Sequence, residues 1–352
     1  MIPVSAVVRS VAELVAAARG GERRAVARLL TLVERGGAVA DEVAERSWSA
    51  LGGITEGSTD GSRAHVIGVT GPPGAGKSTL VAGWMIRLVE RGCRPAVLAV
   101  DPSSPLTGGA ILGDRVRMAD ATAAGVFIRS IATRGHAGGL ALAVPGMVRI
   151  LELGGFDPVV VETVGVGQVE VDVASAADTV LVVVTPGMGD AVQANKAGLL
   201  EVADLFAVNK SDRPDAADVR RDLELMLDLS GLTGHHREGV ADRPSITSTV
   251  AITGAGLDEL ADATETHLVN LATTGTLVTR REERWRAEVR SHLDRLLLDS
   301  SHQLVDALIR GSLLTGDESS AGKSPAAVAR GLALLLAEQM TEYLDGVVED
   351  DR

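Results

Sequence analysis

The chain reads as an α/β protein: a mostly parallel β-sheet covered by helices on both faces, with helical extensions before and after it. Three observations predict this. Short β-branched runs alternate with helical stretches from residue 64 to residue 268. Those runs are near-continuously apolar, as expected of strands buried on both faces. The first of them feeds Gly71-Pro72-Pro73-Gly74-Ala75-Gly76-Lys77-Ser78, and a helical stretch follows from Thr79.

Each element has its own reason. Val11, Leu14, Val15 and Ala18 recur at helical spacing, as do Val26, Leu29, Leu30 and Val33. Gly20-Gly21 and Gly36-Gly37 divide residues 1–50 into short helices, and the Gly/Ser/Thr-rich residues 52–62 read as a linker. The strands are expected at Val66–Val69, Pro95–Val100, Gly125–Ile131, Asp157–Val161, Thr179–Val184, Leu205–Val208 and Ser245–Ala251. After about Thr273 strand signals stop; Arg280–Leu298 and Ala326–Val348 read as helices around a Gly/Ser-rich break from Gly311 to Ser324. Gly322-Lys323-Ser324 in that break lacks the first loop glycine and is no second phosphate loop. The expected parts are a helical leader (1–62), a nucleotide domain (63–272) and a helical tail (273–352).

Composition narrows the function classes. Of 352 residues, 45% are apolar but only 2% aromatic, so the core is built from Val, Leu, Ile and Ala. A net charge of −13 argues against a nucleic-acid binder or a protein held on an anionic membrane. Cys93 is the only cysteine, which excludes a disulfide framework and a cysteine-rich metal site. No run of about 20 uninterrupted apolar residues occurs, so the expectation is a soluble, cytoplasmic chain.

The 71–78 segment is a phosphate-binding loop. A strand, a glycine-rich turn and a helix N-terminus aim several backbone N–H groups at one spot, which suits a polyphosphate. Gly71, Pro72, Pro73, Gly74, Ala75, Gly76, Lys77, Ser78 and Thr79 are the phosphate-binding candidates. Lys77 is placed to reach the β- and γ-phosphates, and the Ser78 hydroxyl to ligate Mg²⁺.

Asn209-Lys210-Ser211-Asp212 follows the run Leu205–Val208. In G proteins an N-K-x-D tetrad at a strand end reads guanine. The Asp212 carboxylate accepts from N1–H and the exocyclic amine, and the wrong base leaves it unpaired at a cost of about 1–3 kcal/mol. Asn209, Lys210 and Asp212 therefore select GTP and GDP over adenine nucleotides. Ser248-Thr249-Val250 fits the further guanine contact through backbone N–H.

Three carboxylates are candidates to organise Mg²⁺ with Ser78: Asp101 and Glu162 at strand ends, and Asp114 in Gly113-Asp114-Arg115. Magnesium takes oxygen ligands and keeps several waters, so a hydroxyl, phosphate oxygens and nearby carboxylates suffice. Carboxyl ends of strands are where open α/β sheets place ligands. Gly165 is placed to offer its N–H to the γ-phosphate.

Taken in order, Gly71–Thr79, Asp101-Pro102-Ser103-Ser104, Ile111–Met118, Glu162-Thr163-Val164-Gly165-Val166-Gly167-Gln168 and Asn209–Asp212 resemble the MeaB/ArgK family. These are G-protein chaperones of methylmalonyl-CoA mutase, in the SIMIBI class of P-loop GTPases. The resemblance implies a GTPase that binds an adenosylcobalamin-dependent acyl-CoA mutase, gates cofactor loading and protects or reactivates the enzyme. It also implies a homodimer held largely by the C-terminal helices. The family's third switch falls on Pro186–Lys196; Lys196 keeps its place, while Gln193-Ala194-Asn195-Lys196 departs from the usual Gln-Gly-Ile-Lys.

The reaction so implied is attack of water on the γ-phosphate, with Lys77, Gln168 and Lys196 as catalytic candidates and Gln168 orienting the water. Arg115, Arg117 and Arg134 stand as alternatives for an internal arginine finger or ordinary salt-bridged side chains, and His136 reads as a loop residue. The chain lacks an Asp-x-His-x-x-Gly cobalamin signature, so the cofactor is expected to bind elsewhere. Competing readings are a GTP-driven insertion factor for a nickel enzyme and a small-molecule kinase linked to amino-acid transport. The first needs His/Cys ligands where this chain has one cysteine and an isolated His235-His236 pair. The second needs an acceptor pocket that no segment announces.

Overall fold

The computed structural model describes residues 9–52, 63–101, 118–132, 137–163, 176–187, 202–233, 243–309 and 324. Of residues 101, 132, 137–142, 230–233, 299, 300 and 303–309 it describes the backbone only.

Three helices lead: α1 (Val11–Arg19), α2 (Arg23–Arg35) and α3 (Ala38–Ala50). Ser10 and Glu13 form a capping box on α1, Ser10 Oγ accepting from Glu13 N at 3.3 Å and Ser10 N donating to Glu13 Oε2 at 2.7 Å. The glycine pairs interrupt the helices where the spacing predicts.

The α/β region follows in the order β1 (Val66–Thr70), α4 (Lys77–Glu90), β2 (Ala96–Asp101), α5 (Ala119–Ala123), β3 (Phe127–Ala132), α6 (Ala137–Leu153), β4 (Val159–Thr163), β5 (Thr179–Val184), β6 (Leu205–Val208), α7 (Ala216–Thr233), β7 (Ser245–Ser248) and α8 (Leu257–Thr273). The sheet order is β3-β2-β4-β1-β5-β6-β7, with every pair parallel. Strand β1 is central, and the chain builds first on its β4 side and then on its β5 side. The loop after β1 therefore opens at the point where strand order reverses, the position at which such sheets bind ligands.

Alternation along the strands makes two cores. Val66, Leu98, Val161, Val182 and Val208 pack on one face with α6, α7 and the leader helices, including Leu29, Leu30, Met147 and Leu223. Ile67, Val69, Val160, Leu181, Val183 and Ala207 pack on the other with Leu80, Trp84 and Met85 of α4, Ala121 of α5 and Leu260 of α8. The leader helices pack on α6, and α2 also reaches edge strand β3, where Glu34 pairs with Arg129. Aliphatic packing dominates, as the low aromatic content requires.

Several boundaries differ from the expected ones, each for a hydrogen-bonding reason. The N–H groups of Gly125 and Val126 bond to Thr122 O and Ala121 O, closing α5, so β3 starts at Phe127 rather than Gly125. Pro158 has no N–H to give the ladder, and β4 starts at Val159 rather than Asp157. Val250 N goes to Ala255 O and Ala251 N to the side chain of Asn209, so β7 stops at Ser248 rather than Ala251. Asp101 is the last residue of β2 and Glu162 the next to last of β4, so both stand at strand ends as expected.

Helix α9 (Thr276–Ile309) starts earlier and runs further than the expected Arg280–Leu298. The chain divides within it into two compact units, residues 1–292 and 293–352. In the first unit, the start of α9 is tied to the amino-terminal edge of the sheet. Arg280 donates to Asp204 Oδ1 and Oδ2 at 2.8 and 3.0 Å, while Arg281 and Arg284 reach Asp178 at 3.3 and 3.2 Å. Both aspartates are fully buried. Asp178 also accepts from Val66 N on β1, and Asp204 from Val180 N on β5. Burial alone would raise the pKa of Asp178, but Arg284 and Arg281 hold it below the usual carboxylate value. The second unit is described as a continuation of the helix through Ile309. The expected helix Ala326–Val348 lies outside the described residues.

Among the described residues, no helix is long and apolar enough to cross a membrane.

Candidate nucleotide site

The site gathers at the carboxyl ends of β4, β1, β5 and β6. Gly71 leaves β1 with φ 135°, and a Cβ there would lie 2.1 Å from Val183 O on β5, so only glycine fits. Gly76 has φ 89°, and a Cβ there would meet Asn209 Nδ2 at 2.6 Å. Gly76 also caps α4, its carbonyl accepting from Leu80 N at 2.9 Å.

Side chains turn the loop's carbonyls inward. Lys77 Nζ donates to Gly71 O at 2.6 Å and Pro72 O at 3.2 Å. Lys210 Nζ donates to Gly74 O at 2.8 Å, and Asn209 Nδ2 to Ala75 O at 2.9 Å. Peptide N–H and C=O point oppositely, so drawing these carbonyls down directs N–H groups to the open side, as an anion requires. The first N–H groups of α4 add to them. Lys77 is buried to 6% exposure, its ammonium already aligned by two loop carbonyls.

On the β4 side, Ser78 Oγ donates to Glu162 Oε1 at 2.6 Å. Glu162 is itself buried, at 5% exposure. A hydroxyl and a carboxylate in contact beside the loop form an oxygen-only pair of the kind a hard divalent cation takes. Asp101 ends β2, its backbone paired with Ala132 of β3.

The base side is organised by Asn209. Its N–H donates to Val184 O at 2.8 Å, and its Oδ1 accepts from Ala251 N at 3.1 Å and Thr249 Oγ1 at 3.4 Å. One buried residue thus joins three parts, its backbone N–H holding β5 and its side chain the phosphate loop and the segment after β7. Lys210 has φ 57°, the left-handed region rarely used by non-glycine residues, which fits its reach over the loop. Ser211 N donates to Thr249 O at 3.0 Å, and Asp212 is exposed at the rim of the segment. Ser248 ends β7 with its hydroxyl accepting from Arg220 Nη1 at 3.3 Å. Val250 is half-buried in the turn that Gly256 closes, where a Cβ would lie 2.0 Å from Ser248 O.

The structure therefore brings together the loop residues 71–79, Glu162, Asn209, Lys210, Asp212 and Ser248–Val250. Asp114, Gly165, Gln168 and Lys196 lie outside the described residues, as do Arg115, Arg117, Arg134, His136 and the pair His235-His236. Sequence reasoning did not foresee that Thr249 acts through its hydroxyl on Asn209, nor that Ala251 N joins it. Spacing gives no signal for either, since both depend on how two strand ends are juxtaposed.

A parallel sheet with this loop at its switch point, joined to an N-K-x-D segment on the neighbouring strands, defines a P-loop GTPase. Residues 26–304 match the family model described as methylmalonyl-CoA mutase-associated GTPase MeaB, and the chain belongs to that family. It is 45% identical over 280 residues to a putative GTPase of Pyrococcus horikoshii, covering 79% of this chain and 84% of the relative. It is 36% identical over 279 residues to the GTPase ArgK of Escherichia coli, covering 78% and 81%. Among solved structures, that of an LAO/AO transport system kinase superposes with a TM-score of 0.58 at 25% identity, covering 93% of this chain and 97% of that one.

Proposed function

We propose that this GTPase binds an adenosylcobalamin-dependent acyl-CoA mutase in the cytoplasm, gating cofactor loading and protecting or reactivating the enzyme according to the bound nucleotide. The observation that carries the reading is the extent of the family match. It runs from α2 through the whole nucleotide domain and into α9.

Water attacks the γ-phosphate of GTP, giving GDP and phosphate. The loop amides and Lys77 hold the triphosphate, the buried ammonium being aligned at the loop by Gly71 O and Pro72 O. Ser78 and Glu162 fit Mg²⁺, with Asp101 and Asp114 as further candidates. Held by Ser78 and Glu162, such an ion would neutralise charge on the phosphate oxygens. Gly165 meets the γ-phosphate, Gln168 orients the water, and Lys196 belongs to the switch that signals to the mutase. Asp212 pairs with the guanine N1–H and exocyclic amine, Asn209 and Lys210 flank the base, and Ser248–Val250 close over it.

The protein acts as a homodimer through residues 273–352. Support comes from α9, which exposes Trp285 and Val289 in the first unit and Leu293, Leu296 and Leu298 in the second, more apolar surface than a solvated helix carries.

Pull-down of a purified mutase with GDP and with a non-hydrolysable GTP analogue tests the proposal. Retention that differs between the two nucleotides supports it, and no retention with either sinks it. A phosphorylated small molecule would favour the kinase reading suggested by the name of the superposed structure. Stoichiometric nickel would favour a metal-insertion factor.

A further inference from the structure

Thr185 follows the last residue of β5. It is 3% exposed, and its Oγ1 has no hydrogen-bond partner among the described residues. A dry, unpaired hydroxyl is unfavourable, and a valine of the same shape would avoid the penalty.

Its position is fixed by register. Val184 pairs with Val208, and Asn209 N donates to Val184 O, so Thr185 stands beside Asn209 at the two strand ends. Leu181 and Val183 face the α4 side of the sheet, and strand alternation puts Thr185 on that side too. Asn209 reaches the phosphate loop on the same side, and Val183 O is the atom that forbids a side chain at Gly71. Thr185 therefore lies beside Asn209 at the carboxyl end of β5, on the side of the sheet where the phosphate loop begins.

The polar groups around it are already engaged. Gly71 O and Pro72 O accept from Lys77, Ala75 O accepts from Asn209, and Asn209 Oδ1 accepts from Ala251 and Thr249. We infer that Thr185 is a further residue of the nucleotide site, its hydroxyl gaining a partner when a guanine nucleotide and its hydration water occupy the pocket. This makes part of the binding free energy the satisfaction of a buried hydroxyl that no described protein group satisfies.

The test uses the full chain, stripped of nucleotide, with T185V and T185S. GDP affinity is measured by calorimetry, and melting temperature with and without GDP. Expected are an unchanged or higher melting temperature for nucleotide-free T185V, a GDP affinity about five- to tenfold weaker than wild type, and near-wild-type affinity for T185S. Three results would each overturn the inference: equal GDP affinity in T185V, a lowered melting temperature of nucleotide-free T185V, or a T185S loss as large as that of T185V. The inference rests on the guanine reading of the site, yet the two fail separately. Base preference is read from GDP against ADP in the wild type, whereas Thr185 is read from the ratio between variants for whichever nucleotide binds.

Discussion

Two side chains carry distinguishable shares of the nucleotide chemistry. Lys77 is the buried cation already aligned on Gly71 O and Pro72 O. Replacing it with Ala removes a preorganised charge at the γ-phosphate, a loss of roughly 100-fold or more in turnover. Single-turnover GTP hydrolysis checks this, and a K77A variant within a few fold of wild type would remove Lys77 from catalysis. Asp212 sits at the exposed rim, where a base edge can reach it. D212N exchanges an acceptor for a donor against N1–H, so the preference for GTP over ATP falls by about a hundredfold or more. Competition binding of GDP and ADP measures it; an unchanged ratio would mean that the base is read elsewhere. The places of Lys77 in the phosphate loop and of Asn209 at the end of β6 were legible in sequence, because each lies at a fixed spacing from a glycine or a strand end. The roles of Thr249, Ala251 and Thr185 were not, because they come from neighbouring strand ends far apart in the chain.

At the scale of elements, α9 is more than an appendage. Arg280, Arg281 and Arg284 neutralise two fully buried carboxylates that also cap the first N–H groups of β1 and β5. Breaking a buried pair by removing one partner costs about 3–5 kcal/mol, because the other charge stays behind unpaired. R280A is therefore expected to lose that much in urea unfolding. A chain ending at Thr273 removes all three arginines and is expected not to fold, whereas one ending at His292 keeps them and retains GDP binding. A folded, GDP-binding 1–273 chain would show the clamp to be dispensable. If the 1–292 chain proves monomeric by light scattering while the full chain is dimeric, the later part of the tail carries the dimer. The sequence gives three arginines in five residues of a helix; only the fold shows where they point.

For the molecule as a whole, one contribution to acid stability lies at the amino-terminal edge of the sheet. His65 Nε2 and His267 Nδ1 share the hydroxyl of Thr179 at 2.7 and 2.8 Å. Burial lowers the pKa of His65 from 6.5 to about 4; the pull of Asp178 upward does not offset it. The unfolded chain therefore binds a proton that the folded chain refuses. This contribution, on the order of 3 kcal/mol, is fully present above pH 6.5 and is lost as pH falls towards 4. Urea unfolding followed from pH 7 to pH 4 should show that limb, and H65Q should flatten it; an unaltered limb would place the proton uptake on another group. The sequence by itself determined the sheet class, the phosphate loop and the guanine tetrad, because strand periodicity and glycine geometry are local and leave marks at short spacing. Tertiary structure alone decided that one asparagine joins the phosphate loop to the base segment, that β7 ends early to serve it, and that the tail helix closes the far edge of the sheet. Those depend on which backbone N–H groups and buried charges find partners across the fold, and no spacing along the chain records that.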